Sequence, residues 1–249
     1  WGVRIDGAVT VDMRAVKARK DAVVEESRTS LKAWLGGTDG LTLVQGEARF
    51  SSAHTLQVGS QELRAERFFI DCGGRPIVPE LPGMSDVPYL TNVNMMDLEV
   101  LPEHLIIVGG SYVGLEFAHM YRRFGSRVSV LERGSRLISR EDDEVSEAMA
   151  QLLRDDGIDV HLSAQVRAVA RAGDAVNVEL ADGARLRGSH LLFAIGRVPN
   201  TDRLNLEAAG VTLDDKGFIL VDSQLRSVSA PHVWALGDVN RRGAFTHTS

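Results

Sequence analysis

The sequence has little cysteine, no long apolar run and no surplus of positive charge. One cysteine, Cys72, stands among 249 residues, which excludes an internal disulfide and any Cys-x-x-Cys zinc or redox motif. No apolar run approaches the roughly 20 residues that a helix needs to span a bilayer. The formal net charge is −6, whereas a nucleic-acid or anionic-membrane surface would be basic. These absences predict a cytoplasmic protein without nucleic-acid or membrane partners.

The histidines are poorly spaced for a metal site. Seven of them are scattered along the chain, and no two stand four residues apart, as they would on one face of a ligating helix. We therefore predict no metal. An apolar content of 44% and a charged content of 25% are typical of an ordinary globular protein with ample material for a core.

Helical and strand patterns alternate through the middle of the chain. Apolar residues at helical spacing predict a helix over 12–35, with Asp12 as its N-cap and Gly36-Gly37 as its end. The strand "LIIVGG" is apolar throughout its centre, which predicts an interior strand of a parallel sheet covered on both faces. It is followed by a predicted helix over 112–124 and then by the strand "RVSVLE". A second amphipathic helix is predicted over Glu141–Gly157, before the strand "IDVHL". This alternation predicts an α/β fold.

Two segments of the chain show the same strand pattern and form an internal repeat. Residues 41–76 and 162–199 both show period-two patterns that predict three short antiparallel strands, and both end in Gly-Arg followed by Pro. The third strand of each copy is apolar, at Arg67–Ile70 and Leu191–Ile195. The second copy is preceded by strand–helix–strand–helix, whereas only one helix precedes the first. We infer that the first copy lacks its front half.

The stretch "HLIIVGGSYVGLEFAHMYRRFGSRVSVLER" has the layout of a dinucleotide-binding unit. In such a unit one glycine permits the tight strand-to-helix turn, a second lets the backbone approach the pyrophosphate, and a third lets the helix pack on the strand. The corresponding residues are Gly109, Ser111 and Gly114, with Gly110 between the first two. Ser111 is tolerable if its Cβ points away, and its hydroxyl can donate to a phosphate. A strand before the turn and a helix after it support the motif.

An acid at the end of the second strand bears on which cofactor binds. Glu132 stands 18 residues past Gly114, where a carboxylate accepts hydrogen bonds from ribose hydroxyls and repels a 2′-phosphate. This position favours NAD(H) over NADP(H). Arg133 and Arg136 leave NADP(H) open, because a guanidinium can pair with the 2′-phosphate. A glycine-rich turn that binds nothing is the structural alternative.

Four segments together resemble the flavin-dependent pyridine nucleotide–disulfide oxidoreductases, a family that includes dihydrolipoamide dehydrogenase and mercuric-reductase-like enzymes. The segments are "FIDCGGRPIVPELPG", "VGGSYVGLE", "AIGRVPNT" and "APHVWALGDV", and they occur in the family's order. The resemblance implies a Rossmann-type nicotinamide-nucleotide-binding domain with an antiparallel three-stranded β-meander, inserted in an incomplete FAD-binding lobe. It implies remnant FAD-domain residues over 1–90, the NAD(P)-binding domain over 91–204 and a return segment over 205–249.

The resemblance also assigns roles to individual residues. Glu116 matches the acid that lies beside the nicotinamide, and Tyr112 matches the aromatic gate over the flavin ring, so these two are the candidate catalytic residues. Gly196 matches the end of the nicotinamide domain. Gly237 and Asp238, in "ALGD", match the motif whose acid hydrogen-bonds the ribitol of FAD.

Several family parts have no counterpart in the sequence. The first flavin fingerprint, the Cys-x-x-x-x-Cys pair and the C-terminal interface domain are all missing. Cys72 lies in the wrong motif for a redox pair, and we expect it to be a buried thiol at a strand end. We therefore expect a central piece of a longer enzyme, with FAD bound in the full-length parent. That parent is expected to be a homodimer through its C-terminal domain.

The predicted reaction is hydride transfer from NAD(P)H to FAD, and onward to a disulfide or metal-ion acceptor, with this piece inactive by itself. One alternative is a non-catalytic nucleotide-binding or redox-sensing module that never held flavin. The "ALGD" segment argues against it, because an acid directed at ribitol has no use there. Another alternative is a complete small NAD-binding protein, and the incomplete repeat argues against that.

Overall fold

The computed structural model describes residues 6–242, which form three α-helices, fourteen strands and four short 3₁₀ helices. The α-helices are α1 Met13–Gly36, α2 Tyr112–Phe124 and α3 Asp143–Asp155. The strands are β1 Ala48–Ser52, β2 Thr55–Val58, β3 Gln61–Arg64, β4 Phe68–Ile70, β5 Gly74–Pro76, β6 His104–Val108, β7 Arg127–Leu131, β8 Asp159–His161, β9 Val166–Ala172, β10 Ala175–Leu180, β11 Arg185–Gly188, β12 His190–Phe193, β13 Arg197–Pro199 and β14 Val233–Ala235. The 3₁₀ helices are Met84–Asp86, Met95–Asp97, Leu206–Ala209 and Gly237–Val239.

Backbone contacts divide the chain into two compact units. The first unit contains the described residues up to Thr29 together with Pro76–Gly196. The second contains Ser30–Arg75 together with the described residues from Arg197 onward. The domain boundaries expected from the family resemblance, after residues 90 and 204, stay predictions.

Helix α1 begins where its capping residue predicts. The Asp12 carboxylate accepts hydrogen bonds from the backbone N–H groups of Arg14 (3.0 Å) and Ala15 (3.2 Å), which have no partner within the helix. Of its 24 residues only Met13 is buried. Four large apolar side chains of α1 are instead exposed in the described structure: Val23, Val24, Leu31 and Trp34.

A four-stranded parallel sheet forms the centre of the first unit. Its strand order is β12-β6-β7-β8, and every neighbouring pair is parallel. The prediction that "LIIVGG" forms an interior parallel strand followed directly by a helix is confirmed. The strands β6, β7 and β8 lie side by side in chain order, as in a three-stranded mononucleotide-binding half of a doubly wound sheet, and β12 lies on the other side of β6.

Side chains of β6 alternate between two buried layers, as the period of a strand requires. Leu105 and Ile107 pack with Leu115 of α2 and Leu153 of α3. Ile106 packs on the opposite face, in the cluster formed with the meander strands. Because both faces are covered, the strand is apolar throughout its centre.

Helix α3 is shorter than the predicted Glu141–Gly157 by two residues at each end.

Both copies of the internal repeat form a meander, but the sequence prediction of the third strand in each copy is wrong. Each copy contains an antiparallel meander, β1-β2-β3 in the second unit and β9-β10-β11 in the first. The apolar segments predicted as third meander strands are β4 and β12, which pair in parallel with β14 and β6. Polar strands, Gln61–Arg64 and Arg185–Gly188, take the third place in the meanders. The reason is burial, because β12 lies in a sheet covered on both faces, whereas β3 is exposed at every residue.

The second unit has a smaller core built around two strand pairs. Strand β4 pairs with β14, and β5 pairs with β13. Phe50 and Phe68 meet edge to face with ring centroids 5.0 Å apart, and Val233 and Ala235 of β14 are fully buried beside them. This arrangement places the "ALGD" motif, residues 235–238, at the end of β14.

Two structural features are absent from residues 6–242. Among these residues no helix has both the length and the hydropathy required to cross a membrane. Nor do any three His, Cys, Asp or Glu side chains in that range lie close enough together to hold a metal ion.

A buried tyrosine offers a test of the first unit's packing. The Tyr121 side chain is fully buried, its hydroxyl donates to the Met95 carbonyl at 2.9 Å, and burial raises its pKa to about 12. Tyr121→Phe should lower the free energy of unfolding by about 1–2 kcal/mol, because the buried carbonyl loses its donor. Urea unfolding at pH 7 measures the change. Tyr89→Phe is the matched control, since the Tyr89 hydroxyl has no hydrogen bond within residues 6–242, and it should change stability by less than about 0.5 kcal/mol. Equal effects of the two substitutions would contradict the assignment.

Candidate dinucleotide-binding site

The turn between β6 and α2 has no room for side chains at its glycines. Gly109 has φ +116°, and a Cβ there would overlap the carbonyl oxygen of Ala194. A Cβ on Gly114 would overlap the carbonyl oxygen of Gly109. A Cβ on Gly110 would lie 2.9 Å from Cβ of Glu132, which is closer than real Cβ contacts. The first and third glycines therefore have the roles predicted for them, and Gly110 is constrained as well.

Ser111 occupies the middle position without strain. Its backbone is extended, with φ −108° and ψ −178°, which any residue adopts. It is the N-cap of α2 and is exposed, and its hydroxyl makes no hydrogen bond within residues 6–242. The N–H groups in the first turn of a helix also lack partners within the helix. Ser111 therefore presents a free hydroxyl beside a group of amide donors, which is the chemistry that binds a phosphate.

Glu132 stabilises the turn, in addition to its predicted role of binding the ribose hydroxyls. One carboxylate oxygen accepts a hydrogen bond from the Gly110 N–H at 2.7 Å, and the other accepts one from the Gly134 N–H at 2.7 Å. The side chain thus connects the end of β7 to the glycine turn after β6. A carboxylate has about four lone-pair sites, so two remain for other donors such as ribose hydroxyls. Sequence reasoning missed Gly134, although its position two residues after the acid is that of a local turn.

The two arginines considered for a 2′-phosphate differ in availability. Arg133 is exposed and has no ion-pair or hydrogen-bond partner among the described residues. Arg136 forms an ion pair with Asp143 and donates to the Ser139 carbonyl at 2.9 Å. Only Arg133 is therefore available to a ligand without breaking an existing contact.

Tyr112 and Glu116 lie one turn apart on α2 and so share a face of the helix. The Tyr112 hydroxyl donates to the carboxylate of Glu141, and this hydrogen bond raises the pKa of Tyr112. Glu116 is exposed and has no partner in the part of the chain that the structure describes. The structure places these two candidates on one face and adds Glu141, which sequence reasoning missed.

The flavin-motif candidates lie in the second unit. Gly237 is buried with φ +63° and opens the 3₁₀ turn after β14. The carboxylate of Asp238 forms an ion pair with Nε of Arg197 at 3.4 Å. Arg197 also donates to the carbonyl of Gly74. Gly196 ends the first unit with φ +133°. The Arg197–Asp238 ion pair connects the motifs "AIGRVPNT" and "ALGD", and the sequence does not predict this contact.

Cys72 is less buried than expected. The prediction was a buried thiol at a strand end, whereas the residue is half-buried and lies just beyond β4. Its Sγ donates to the Asn200 carbonyl at 3.3 Å, and burial raises the pKa of the thiol. A raised pKa leaves less thiolate at neutral pH, which makes this cysteine a poor nucleophile.

Comparisons with known proteins agree with this arrangement. The sequence model of one family, pyridine nucleotide-disulphide oxidoreductase, matches residues 6–249. The mercuric reductase of Streptomyces lividans is 38% identical over 247 residues, which covers 96% of this chain and 52% of that protein. The probable pyridine nucleotide-disulfide oxidoreductase RclA of Escherichia coli (strain K12) is 36% identical over 242 residues, covering 95% and 54%. The chain thus spans about half the length of the curated relatives it matches.

Solved structures show the same fold. The HOCl-induced flavoprotein disulfide reductase RclA from Escherichia coli superposes with a TM-score of 0.88 at 35% identity, covering 94% of this chain and 54% of that one. LpdA from Mycobacterium tuberculosis gives a TM-score of 0.86 at 26% identity, covering 97% and 55%. The α/β fold is therefore that of the flavoprotein disulfide reductases.

The contacts of Glu132 generate a stability prediction. Glu132→Ala removes two charge-assisted hydrogen bonds to backbone amides, so it should lower the free energy of unfolding by about 2–4 kcal/mol. Glu147→Ala is the control, because Glu147 is an exposed acid on α3 without a side-chain partner in residues 6–242. Thermal or urea unfolding of both variants provides the comparison. If Glu132→Ala is no more destabilising than Glu147→Ala, the carboxylate does not hold the turn.

Proposed function

The chain belongs to the pyridine nucleotide-disulphide oxidoreductase family, and on that premise we propose that it is the NAD(P)H-binding portion of a flavoprotein oxidoreductase. The observation that supports this most is the turn between β6 and α2. Backbone carbonyls exclude side chains at Gly109 and Gly114, and the side chains of Leu137 and Glu132 exclude one at Gly110. Ser111, at the N-terminus of the helix, presents a hydroxyl that makes no hydrogen bond within residues 6–242. A pyrophosphate is the ligand that such a turn suits.

Each residue of the turn has a role in the proposed complex. The amides that open α2 and the Ser111 hydroxyl donate hydrogen bonds to the pyrophosphate. Glu132 keeps the turn in position through Gly110 and Gly134 and accepts from the ribose hydroxyls with its remaining lone pairs. Its negative charge opposes a 2′-phosphate, so NAD(H) is the preferred cofactor. Glu116 is proposed to lie beside the nicotinamide, and Tyr112, on the same face of α2, is proposed to lie over the flavin ring.

The reaction of the whole protein is proposed from the family. It would pass hydride from NAD(P)H to FAD, and the electron pair then to a disulfide or a metal-ion substrate, in keeping with relatives named as mercuric and disulfide reductases. Bound FAD would supply the electron-transfer chemistry. Within residues 6–242 the proposed hydrogen-bond acceptor for the ribitol of FAD is Asp238, which is paired with Arg197. We also propose a homodimeric, cytoplasmic parent protein.

Cofactor preference follows from the charges beside the turn. NADH should bind more tightly than NADPH, because the Glu132 carboxylate meets the ribose hydroxyls in one case and a phosphate in the other. Calorimetric titration with both cofactors measures the difference. Arg133→Gln should reduce NADPH binding further and leave NADH binding unchanged, since Arg133 is the arginine without a partner among the described residues. Equal or tighter binding of NADPH by the unaltered chain would mean that Arg133 outweighs Glu132.

The chain should be colourless and should not oxidise NADH. One charge-assisted hydrogen bond to Asp238 contributes about 1.5–3 kcal/mol, far less than the roughly 8 kcal/mol that micromolar affinity requires. With one cysteine, the chain also has no dithiol to receive electrons. The test is an absorption spectrum after incubation with excess FAD and desalting, followed by an NADH oxidation assay. A retained flavin band, or NADH consumption above a protein-free control, would contradict the proposal.

A further inference from the structure

A cavity of about 760 Å³ opens at the amino-terminal edge of the parallel sheet in the first unit. Its wall is formed by the first residues of β6, β7 and β8, the end of α3 and the strand β11. The lining side chains that matter here are His104, Arg127, Arg154, Asp159, Arg185 and Arg187. The parallel register brings the strand starts together, since His104 lies opposite Arg127 and Ser129 opposite Asp159.

Positive charge is concentrated in this cavity. Four arginines line it against one carboxylate, in a chain whose net charge is −6. Arg127 pairs with Asp159 at 3.1 Å, and Arg185 pairs with Glu179 at 3.1 Å. Arg154 and Arg187 are exposed, and neither has a side-chain partner within residues 6–242. Two guanidinium groups are thus free to receive a ligand that carries two negative charges.

The wall of the cavity is held in place by a buried histidine. His104 Nδ1 lies 2.8 Å from the Arg187 carbonyl, and Nε2 lies 2.9 Å from Oγ of Ser129. Burial lowers the pKa of His104, which favours a neutral ring whose Nδ1–H donates to the carbonyl. This contact fixes β11 against β6. The Ser129 hydroxyl lies between Nε2 and the Asp159 carboxylate, to which it donates at 3.3 Å. Because Arg185 and Arg187 are two residues apart on one strand, both side chains leave the same face.

We propose that this cavity binds a small anion that carries phosphate, at a site separate from the dinucleotide turn. Planar guanidinium groups bind phosphate oxygens in pairs, which distinguishes them from lysine and favours phosphate as the ligand. The volume lies within the roughly 300–1,000 Å³ of small-molecule sites, so it has space for a phosphorylated organic molecule. The cavity lies at the start of β6 and the glycine turn at its end, about 16 Å apart for a five-residue strand. The inference therefore does not depend on the proposed function.

The test uses calorimetric titration with two probes, adenosine monophosphate and inorganic pyrophosphate, at constant ionic strength. The double variant Arg154→Gln/Arg187→Gln should weaken binding of the preferred probe at least about tenfold, because each arginine supplies charge-assisted hydrogen bonds. Arg167→Gln is the matched control, an exposed arginine on the outer meander strand β9 that does not line the cavity. It should change the dissociation constant by less than about twofold. Near-ultraviolet circular dichroism checks that the variants keep the fold.

The two probes separate the possible sources of phosphate. Tighter binding of adenosine monophosphate identifies a phosphorylated organic ligand, and tighter binding of pyrophosphate identifies an inorganic one. Either result supports the site, provided that the double variant loses the binding. Binding that survives in the double variant would assign the phosphate to another place, such as the glycine turn, and would overturn the proposal. An absence of binding by the unaltered protein at millimolar probe would overturn it as well.

Discussion

The first unit depends on a close approach of backbone to backbone at the end of β6. The carbonyl of Gly109 occupies the space that a side chain on residue 114 would take, and the carbonyl of Ala194 does the same at residue 109. These contacts let α2 begin immediately after the strand and pack directly on the sheet. Leu115 and Tyr121 consequently reach the core beside Leu105 and Ile107. The same geometry leaves the N-terminus of α2 open to solvent, so packing and ligand binding have one structural cause.

The parallel sheet has a different electrostatic character at each of its two ends. At the carboxyl ends of the strands, amide donors and the carboxylate of Glu132 surround the glycine turn. At the amino ends, arginines surround the neutral imidazole of His104. Parallel strands necessarily place all their starts at one edge and all their ends at the other. One sheet can thus present two chemically different surfaces, and each surface is composed of residues that are distant in sequence.

Local signals in the sequence predict more of this structure than non-local ones do. The start of α1 follows from Asp12, and the β6–α2 turn follows from an apolar strand, spaced glycines and an acid after the next strand. The partner of each apolar strand does not follow, because pairing is decided by burial in the whole sheet. For this reason the sequence pattern alone predicts Leu191–Ile195 as a meander strand, whereas most of that segment lies in β12, which pairs with β6. Similarly, Arg197 and Asp238 are 41 residues apart in sequence, and only the folded second unit shows their ion pair.

A nicotinamide dinucleotide is proposed to bind at the turn between β6 and α2, and a ¹H–¹⁵N correlation spectrum of the isotope-labelled chain before and after addition of NADH tests this most directly. The largest shifts should occur at the amides of residues 109–115 and 132–134, with little change at the arginine-lined edge of the sheet. Unchanged spectra at saturating NADH, or shifts concentrated outside those two segments, would contradict it.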